Sequence, residues 1–186
     1  MRVIAGTRRS LPLKSLEGDA TRPTADRYKE TLFNVLQTDI PGCRFLDLFA
    51  GSGAIGIEAL SRGASHAVFV ENSRKALAVV KDNIHFTKFE DESDLILSDA
   101  ISYVRGLGTV DFDIIFIDPP YNKELEKAVL EVLDGKNFRN PNVRIVVEAA
   151  LEENFDFLDQ TRFVIEKVKA YKSNKHLFLR LAEETE

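Results

Sequence analysis

Three glycines at the junction of a short apolar run and a helical segment constrain this chain more than any other feature. Gly51, Gly53 and Gly56 follow the apolar run and open the helix, and Glu71 ends the next strand twenty residues after Gly51. Glycines let a backbone approach a ligand closely, a helix N-terminus offers free N–H groups, and an acid at this spacing accepts hydrogen bonds from ribose hydroxyls. The pattern predicts a Rossmann-like unit that binds a nucleoside-containing cofactor; the alternative is a tight turn without a ligand.

Asp47 bears on which cofactor this is, because it lies just before the glycine turn. A carboxylate there would repel the anionic pyrophosphate of a dinucleotide, whereas it suits the ammonium and sulfonium groups of S-adenosyl-L-methionine. The alternative is that Asp47 only fastens the loop through backbone hydrogen bonds. Phe49, two residues later, is expected either at the cofactor cleft or in the core.

Strands and helices alternate along most of the chain, which predicts an α/β fold with a mostly parallel sheet and helices on both faces. Predicted strands cover 45–49, 67–71, 95–97, 112–117, 143–147, 163–171 and 177–181, and predicted helices cover 25–37, 54–62, 124–134 and 151–158, with further helices after Ser73 and Asp99. The last two strands are too close in sequence for a crossover, so they are expected to pair antiparallel.

The segment Asp118-Pro119-Pro120-Tyr121 follows a continuous apolar run, and ligands of such sheets bind where the strands end. A carboxylate, a carbonyl fixed by the two prolines and an aromatic ring would hold a flat base that carries an amino group. The amine would donate to Asp118 and to the Pro119 carbonyl, while the base stacks on Tyr121. These contacts favour methyl transfer to an exocyclic nitrogen, with neither a metal nor a covalent intermediate. The alternative is an ordinary proline-rich strand exit.

Asp99 follows the strand at 95–97, where its carboxylate is placed to accept from an adenine amino group. An N-cap for the next helix is the simpler interpretation. We assign Asn72 and Ala100, which adjoin Glu71 and Asp99, to the same cofactor site.

The first thirty residues are basic on an otherwise acidic chain, with a net charge of +3 against −8 for the remainder. We expect a small β-hairpin at its start, from residues 2–5 and 11–16, and a helix capped by Thr24. Arg2, Arg8 and Arg9 are expected to contact phosphates of a nucleic acid. The alternative is a solvated, loosely ordered terminus.

Composition excludes several other classes of protein. A single cysteine rules out a disulfide framework and a thiolate zinc site, and the three histidines lack ligand spacing, so no metal is expected. The chain has no apolar run of membrane-spanning length and no signal-peptide pattern after Met1, which favours a cytoplasmic protein without a membrane partner.

These motifs together resemble a known family. The stretches DLFAGSGAIGIEALSRGA and DPPY resemble Rossmann-type S-adenosylmethionine-dependent amino-methyltransferases, and TRPTADRYKETLFNVL after MRVIAGTRR narrows the resemblance. The chain is similar to the bacterial 16S rRNA guanine-N2 methyltransferases of the RsmD type. The resemblance implies a seven-stranded sheet with an antiparallel last strand, residues 1–20 as a basic hairpin extension and residues 21–186 as the methyltransferase domain.

The resemblance also implies a role for each motif. S-adenosyl-L-methionine would be converted to S-adenosyl-L-homocysteine, and the methyl group would pass to a guanine N2 of 16S rRNA in the small ribosomal subunit. Together with the residues assigned above, the expected cofactor residues are Asp47, Phe49, Gly51, Gly53, Glu71, Asn72, Asp99 and Ala100; the expected catalytic residues are Asp118, Pro119 and Tyr121; and the expected substrate residues are Arg2, Arg8, Arg9, Arg22, Thr24 and Pro120. Arg22 and Thr24 would lie near the cleft, or else form a strap that holds the first helix. The segment 171–175 departs from the glycine-containing tyrosine turn expected of relatives.

Four alternatives remain open at this stage. The same chemistry suits adenine N6 in DNA or RNA, and the amide of a protein glutamine. The glycine motif also occurs in NAD-linked oxidoreductases, although Asp47 argues against one here. A non-catalytic RNA-binding module is the fourth. A chain of this size has no second domain to read a sequence, which favours a monomer that acts on a preformed ribonucleoprotein.

Overall fold

The structure, a computed structural model, describes residues 1–16, 23–121 and 123–183. Its strands are Arg44–Asp47 (β1), His66–Glu71 (β2), Ser93–Leu97 (β3), Thr109–Val110 (β4), Ile114–Ile117 (β5), Asn137–Phe138 (β6), Arg144–Ala150 (β7), Phe163–Ala170 (β8) and Asn174–Leu181 (β9). Its helices are Pro23–Val35 (α1), Ala54–Ser61 (α2), Arg74–Thr87 (α3), Ala100–Gly106 (α4) and Leu125–Asp134 (α5), with 3-10 turns at Glu90–Glu92 and Asp156–Gln160. None of these helices has the length and apolar character that a bilayer crossing requires.

Seven strands form the main sheet in the order β3-β2-β1-β5-β7-β9-β8. Neighbours pair parallel from β3 to β7, whereas β9 runs antiparallel to both β7 and β8. The carboxyl ends of β1, β2, β3, β5 and β7 therefore meet at one edge, and the start of β9 lies at that same edge. The predicted Rossmann-like sheet with an antiparallel last strand is confirmed.

The core lies on both faces of the sheet, as the continuous apolar strands predict. On one face, Phe45, Phe69 and Phe116 pack with the residues of α1, α2 and α3. On the other, Ile115 packs with Leu130 of α5 and with α4. Each of these side chains is almost wholly buried, and burial of one such side chain contributes about 2 kcal/mol. This packing fixes the sheet edge that carries the polar residues.

Local signals place several helix ends correctly. The Ser73 hydroxyl accepts from Ala76 N at 3.3 Å and caps α3, and α2 ends just before Gly63. The prediction for Thr24 is wrong: α1 begins at Pro23, so Thr24 lies inside the first turn and not at the N-cap. Proline suits this early position because its missing N–H has no partner in the first turn.

The helix predicted at 151–158 is also wrong. After β7 the chain makes a turn and then a 3-10 turn at Asp156–Gln160. The Lys175 ammonium of β9 donates to the carbonyls of Leu151 and Glu153, at 2.9 and 2.6 Å. These bonds use carbonyls that a helix would need, so a tertiary contact decides the local conformation.

The first sixteen residues form a short hairpin that packs on the sheet domain. Ser10 N donates to the Val3 carbonyl at 2.9 Å and Val3 N donates to the Leu11 carbonyl at 3.0 Å, while the Val3 side chain is fully buried in the core. The buried Glu58 of α2 accepts from Ile4 N at 2.8 Å and from Ala5 N at 3.0 Å. The hairpin is therefore fastened to the helix that follows the glycine turn. The boundary predicted at residue 20 lies outside the described residues.

Candidate active site

Two adjoining cavities, of about 270 and 520 Å³, open at the carboxyl edge of the sheet. They share Phe49, Gly51, Asp118 and Glu148. The remaining predicted residues around them are Asp47 in the smaller cavity and Glu71, Asn72, Asp99, Ala100, Pro119, Pro120 and Tyr121 in the larger. The structure thus brings the two sequence motifs to one place, although they are nearly seventy residues apart. Larger depressions elsewhere contain none of these motif residues.

The glycine turn has a left-handed backbone at both Gly51 and Gly53, with φ of +55° and +81°. A Cβ on Gly51 would meet nothing within 4 Å, so this backbone faces open space. A Cβ on Gly56 would lie 2.3 Å from the Phe69 ring, so this glycine is required by the close packing of α2 on β2. Gly53 does not line either cavity, and its contact with a cofactor stays a prediction.

Asp47 is a buried carboxylate at the end of β1, with 1% of its surface exposed. Its Oδ2 accepts from Gly56 N at 3.2 Å, whereas Oδ1 has no hydrogen-bond partner among the described residues. Burial raises the pKa of Asp47 to about 7, while the nearby N–H groups of Gly56 and Phe49 oppose the rise. Asp47 therefore does fasten the loop through a backbone hydrogen bond, as the alternative interpretation predicts. Its second oxygen, Oδ1, remains able to accept a hydrogen bond from a ligand.

Glu71 and Asp99 each hold the chain at the sheet edge. Glu71 accepts from Gly51 N at 2.9 Å and from Ser73 N at 2.8 Å, so it joins the glycine turn to the start of α3. Asp99 accepts from Ser102 N at 2.8 Å and caps α4, and this bond lowers the pKa of Asp99. Carboxylate oxygens accept more than one hydrogen bond, so both remain able to bind a ligand. Their contacts with a ribose and an adenine stay predictions.

Tyr121 projects from the double-proline segment with 42% of its surface exposed. Its hydroxyl donates to Glu148 Oε1 at 3.0 Å. Partial burial and the carboxylates of Glu148 and Asp118 raise the pKa of Tyr121, so the phenol stays neutral and keeps its proton. The ring is anchored at its polar end, and its position beside Pro119 and Asp118 suits a stacking platform for a base.

Glu148 and His176 belong to the site but were missed by sequence reasoning. They face each other in the antiparallel register of β7 and β9, and Glu148 Oε2 lies 3.0 Å from His176 Nε2. Asn174 donates to Glu148 Oε1 at 2.5 Å, and the Tyr171 hydroxyl lies 3.1 Å from His176 Nδ1. The Tyr171 ring packs on Tyr28 with 4.6 Å between centroids. Tyr171 and Asn174, which belong to the 171–175 segment, therefore contact residues that line the smaller cavity.

Two arginines of the basic hairpin bind other groups of the protein itself. Arg2 pairs with Asp26 at 3.1 Å, and Arg8 donates to the Thr87 carbonyl at 2.7 Å. Arg9 is exposed and lines a surface depression together with Arg27. Contacts of Arg2, Arg8 and Arg9 with phosphates stay predictions. Arg22 and the side chain of Thr24 lie outside the described residues.

The amino-acid sequence is similar to known proteins along most of its length. The family described as conserved hypothetical protein 95 matches residues 1–179. A protein of Haemophilus influenzae named ribosomal RNA small subunit methyltransferase D is 37% identical over 150 residues, which are 80% of this chain and 78% of that protein. The Escherichia coli protein of the same name is 35% identical over 152 residues, which are 82% and 76% of the two chains.

Solved structures extend the similarity to the whole fold. The structure of the Escherichia coli protein yhhF has a TM-score of 0.87 and 29% identity, with 98% of both chains covered. A SAM dependent methyltransferase from Agrobacterium tumefaciens has a TM-score of 0.63 at 17% identity, over 87% of this chain and 63% of that one. The latter similarity shows the fold alone.

Proposed function

This chain belongs to the family described as conserved hypothetical protein 95, and on that premise we propose that it methylates a guanine of 16S rRNA in the small ribosomal subunit. The methyl group comes from S-adenosyl-L-methionine and passes to the exocyclic N2 amine. Relatives named ribosomal RNA small subunit methyltransferase D support the substrate class. The observation that carries the proposal is that Asp118 lines the same cavities as Gly51, with Glu71 and Tyr121 beside them in the larger one.

The residues of the smaller cavity fit a cationic cofactor. Asp47 is buried and leaves Oδ1 without a partner among the described residues, an arrangement that favours a positive group and disfavours a pyrophosphate. Asp47 and Gly51 would hold the methionine portion, and Glu71, Asn72, Asp99 and Ala100 would hold the adenosine. When bound, S-adenosyl-L-methionine supplies a methyl group that its sulfonium makes electrophilic. This fit counts against the oxidoreductase alternative.

The double-proline segment prepares the amine. The Asp118 carboxylate and the Pro119 carbonyl accept the two amine hydrogens, while the Tyr121 ring stacks on the base. These bonds draw the nitrogen toward a tetrahedral shape, so its lone pair is no longer spread into the ring. Held in this way, the amine would present its lone pair to the methyl donor, and Asp118 would accept the proton that the nitrogen releases when it gains the methyl group.

Recognition of RNA rests on the basic hairpin and on the pocket mouth. The acidic body is repelled by phosphates, so the hairpin orients the protein on the RNA. The target base must leave its stack to reach Asp118, which favours a nucleotide already exposed on an assembled or assembling subunit. We place the protein in the cytoplasm, where it acts as a monomer.

The decisive experiment offers several acceptors in parallel. Purified protein and cofactor with a labelled methyl group are incubated with undermodified small subunits, naked 16S rRNA, DNA and a glutamine-containing peptide. We expect label only in rRNA, and digestion to nucleosides should give N2-methylguanosine. Label in N6-methyladenosine or in the peptide would contradict the proposal and support the corresponding alternative. Tight binding of NADH without binding of S-adenosyl-L-methionine would remove the methyltransferase assignment.

A further inference from the structure

Glu148 is a second carboxylate beside Asp118, and the methyl transfer proposed for Asp118, Pro119 and Tyr121 does not involve it. It lies near the carboxyl end of β7, its side chain is 19% exposed, and it lines both cavities together with Asp118. Both carboxylates act on the Tyr121 phenol and raise its pKa. Asp118 and Glu148 therefore face the same space.

Three neighbours fix the direction of the Glu148 carboxylate. Tyr121 and Asn174 donate to Oε1 at 3.0 and 2.5 Å, and His176 donates to Oε2 from Nε2 at 3.0 Å. Because a carboxylate only accepts, His176 donates to it from Nε2, while His176 Nδ1 lies 3.1 Å from the Tyr171 hydroxyl. Three hydrogen bonds therefore hold the Glu148 carboxylate in one orientation.

The same bonds keep Glu148 charged. Burial alone would raise its pKa, but the hydrogen bond and the positive charge of His176, together with the hydrogen bonds from Asn174 and Tyr121, outweigh burial and hold the pKa below its ordinary value. A carboxylate has about four acceptor directions, and the three bonds leave one of them for a ligand. The pocket thus contains a fixed anion that accepts a hydrogen bond and repels a lone pair.

The bases differ in whether the ring nitrogen beside the amine donates or accepts a hydrogen bond, and a fixed carboxylate distinguishes the two. In guanine the N2 amine adjoins the N1–H donor, whereas in adenine the N6 amine adjoins N1 as an acceptor. A glutamine amide likewise presents an acceptor beside its amine. Asp118 accepts from any of these amines, so it does not distinguish them.

We propose that Glu148 accepts a hydrogen bond from N1–H of the target base and thereby selects guanine over bases that present an acceptor at that position. This inference rests on the proposed function and deepens it. Loss of a hydrogen bond to a charged group, together with lone-pair repulsion, corresponds to about a hundredfold in kcat/KM.

The test varies whether N1 of the target base donates or accepts a hydrogen bond. The methylated nucleotide is first mapped with the wild-type protein, and small subunits are reconstituted from ligated rRNA with guanine or 2,6-diaminopurine there. Diaminopurine keeps the 2-amino group but presents N1 as an acceptor. We expect the wild type and an exposed control, Glu131→Gln, to prefer guanine about a hundredfold. Glu148→Gln should bring the ratio to within about threefold, since its amide also donates to an acceptor.

Two outcomes overturn the inference: equal rates of the wild type on both bases, or a Glu148→Gln ratio equal to that of the wild type. Glu148→Asp is the second variant, for use if Glu148→Gln does not fold. It keeps the charge but withdraws it by one methylene, so we expect an intermediate ratio, and an unchanged ratio would refute the role. A wild type that methylates no guanine removes the proposed function as well, whereas methylation without base preference removes only the role of Glu148.

Discussion

Replacement of Asp47 by asparagine should stabilise the protein at alkaline pH while it impairs cofactor binding. Burial raises the pKa of Asp47 from 3.8 to about 7. Because this folded pKa lies above the unfolded one, the native state is favoured by protonation at low pH and loses that advantage as the pH rises from about 4 to about 7. The difference of about three pH units corresponds to about 4 kcal/mol of unfolding free energy.

Asparagine removes this cost because it is never charged, and its carbonyl oxygen can still accept from Gly56 N. Its amide group would stand where Asp47 Oδ1 has no described partner, and an unsatisfied donor costs about 1–3 kcal/mol. We therefore expect Asp47→Asn to exceed the wild type by about 2 kcal/mol at pH 8.5 and to lose that excess near pH 4.

Urea unfolding followed by circular dichroism at pH 4.5, 6 and 8.5 measures the effect. The control variant Asp91→Asn replaces an exposed carboxylate, and its unfolding free energy should stay within about 0.5 kcal/mol of the wild type. A variant that is no more stable than the wild type at pH 8.5, or a difference that does not vary with pH, would refute the reasoning. Calorimetry should also show that wild-type affinity for S-adenosyl-L-methionine falls as the pH drops from 7 to 5.5, because Asp47 must lose its proton to hold a cation.

Three further predictions concern the pocket and the hairpin. Asp118→Ala should abolish methyl transfer with nearly unchanged cofactor affinity by calorimetry; an active variant refutes its role as acceptor. Gly56→Ala should destabilise the protein by about 1–3 kcal/mol in urea because its Cβ meets Phe69, whereas Gly51→Ala should cost only about 1 kcal/mol but weaken cofactor binding; equal behaviour would contradict this contrast. Arg9→Glu should weaken RNA binding and make the slope of log K against log salt concentration shallower by about one or more. An unchanged slope in filter binding would contradict the role of the hairpin in phosphate binding.

The sequence predicts best those features that depend on neighbouring residues. Ser73 and Asp99 are short polar residues before helical segments, and both accept from the N–H three residues later. The glycine turn and the double-proline segment carry their own backbone requirements, so their place at the strand ends follows from sequence. The alternation of strands and helices then brings them to one edge.

Features that depend on register between distant strands escape such reasoning. Glu148 and His176 are 28 residues apart, and each is one polar residue in an apolar strand. Only the antiparallel pairing of β7 with β9 places them opposite each other. The helix prediction for 151–158 was wrong for a related reason, because Lys175 of β9 donates hydrogen bonds to two carbonyls of that segment. The two-residue strands β4 and β6 are too short to leave a pattern.

The division of the pocket between two groups of strands has a consequence for how such proteins diversify. In the proposed function, β1, β2 and the loop after β3 supply Asp47, Glu71 and Asp99 to the methyl donor, whereas β7 supplies Glu148 to the acceptor and β9 supplies its hydrogen-bond partner His176. A lineage can therefore inherit the donor half unchanged and acquire a new target molecule through a few substitutions on the two later strands.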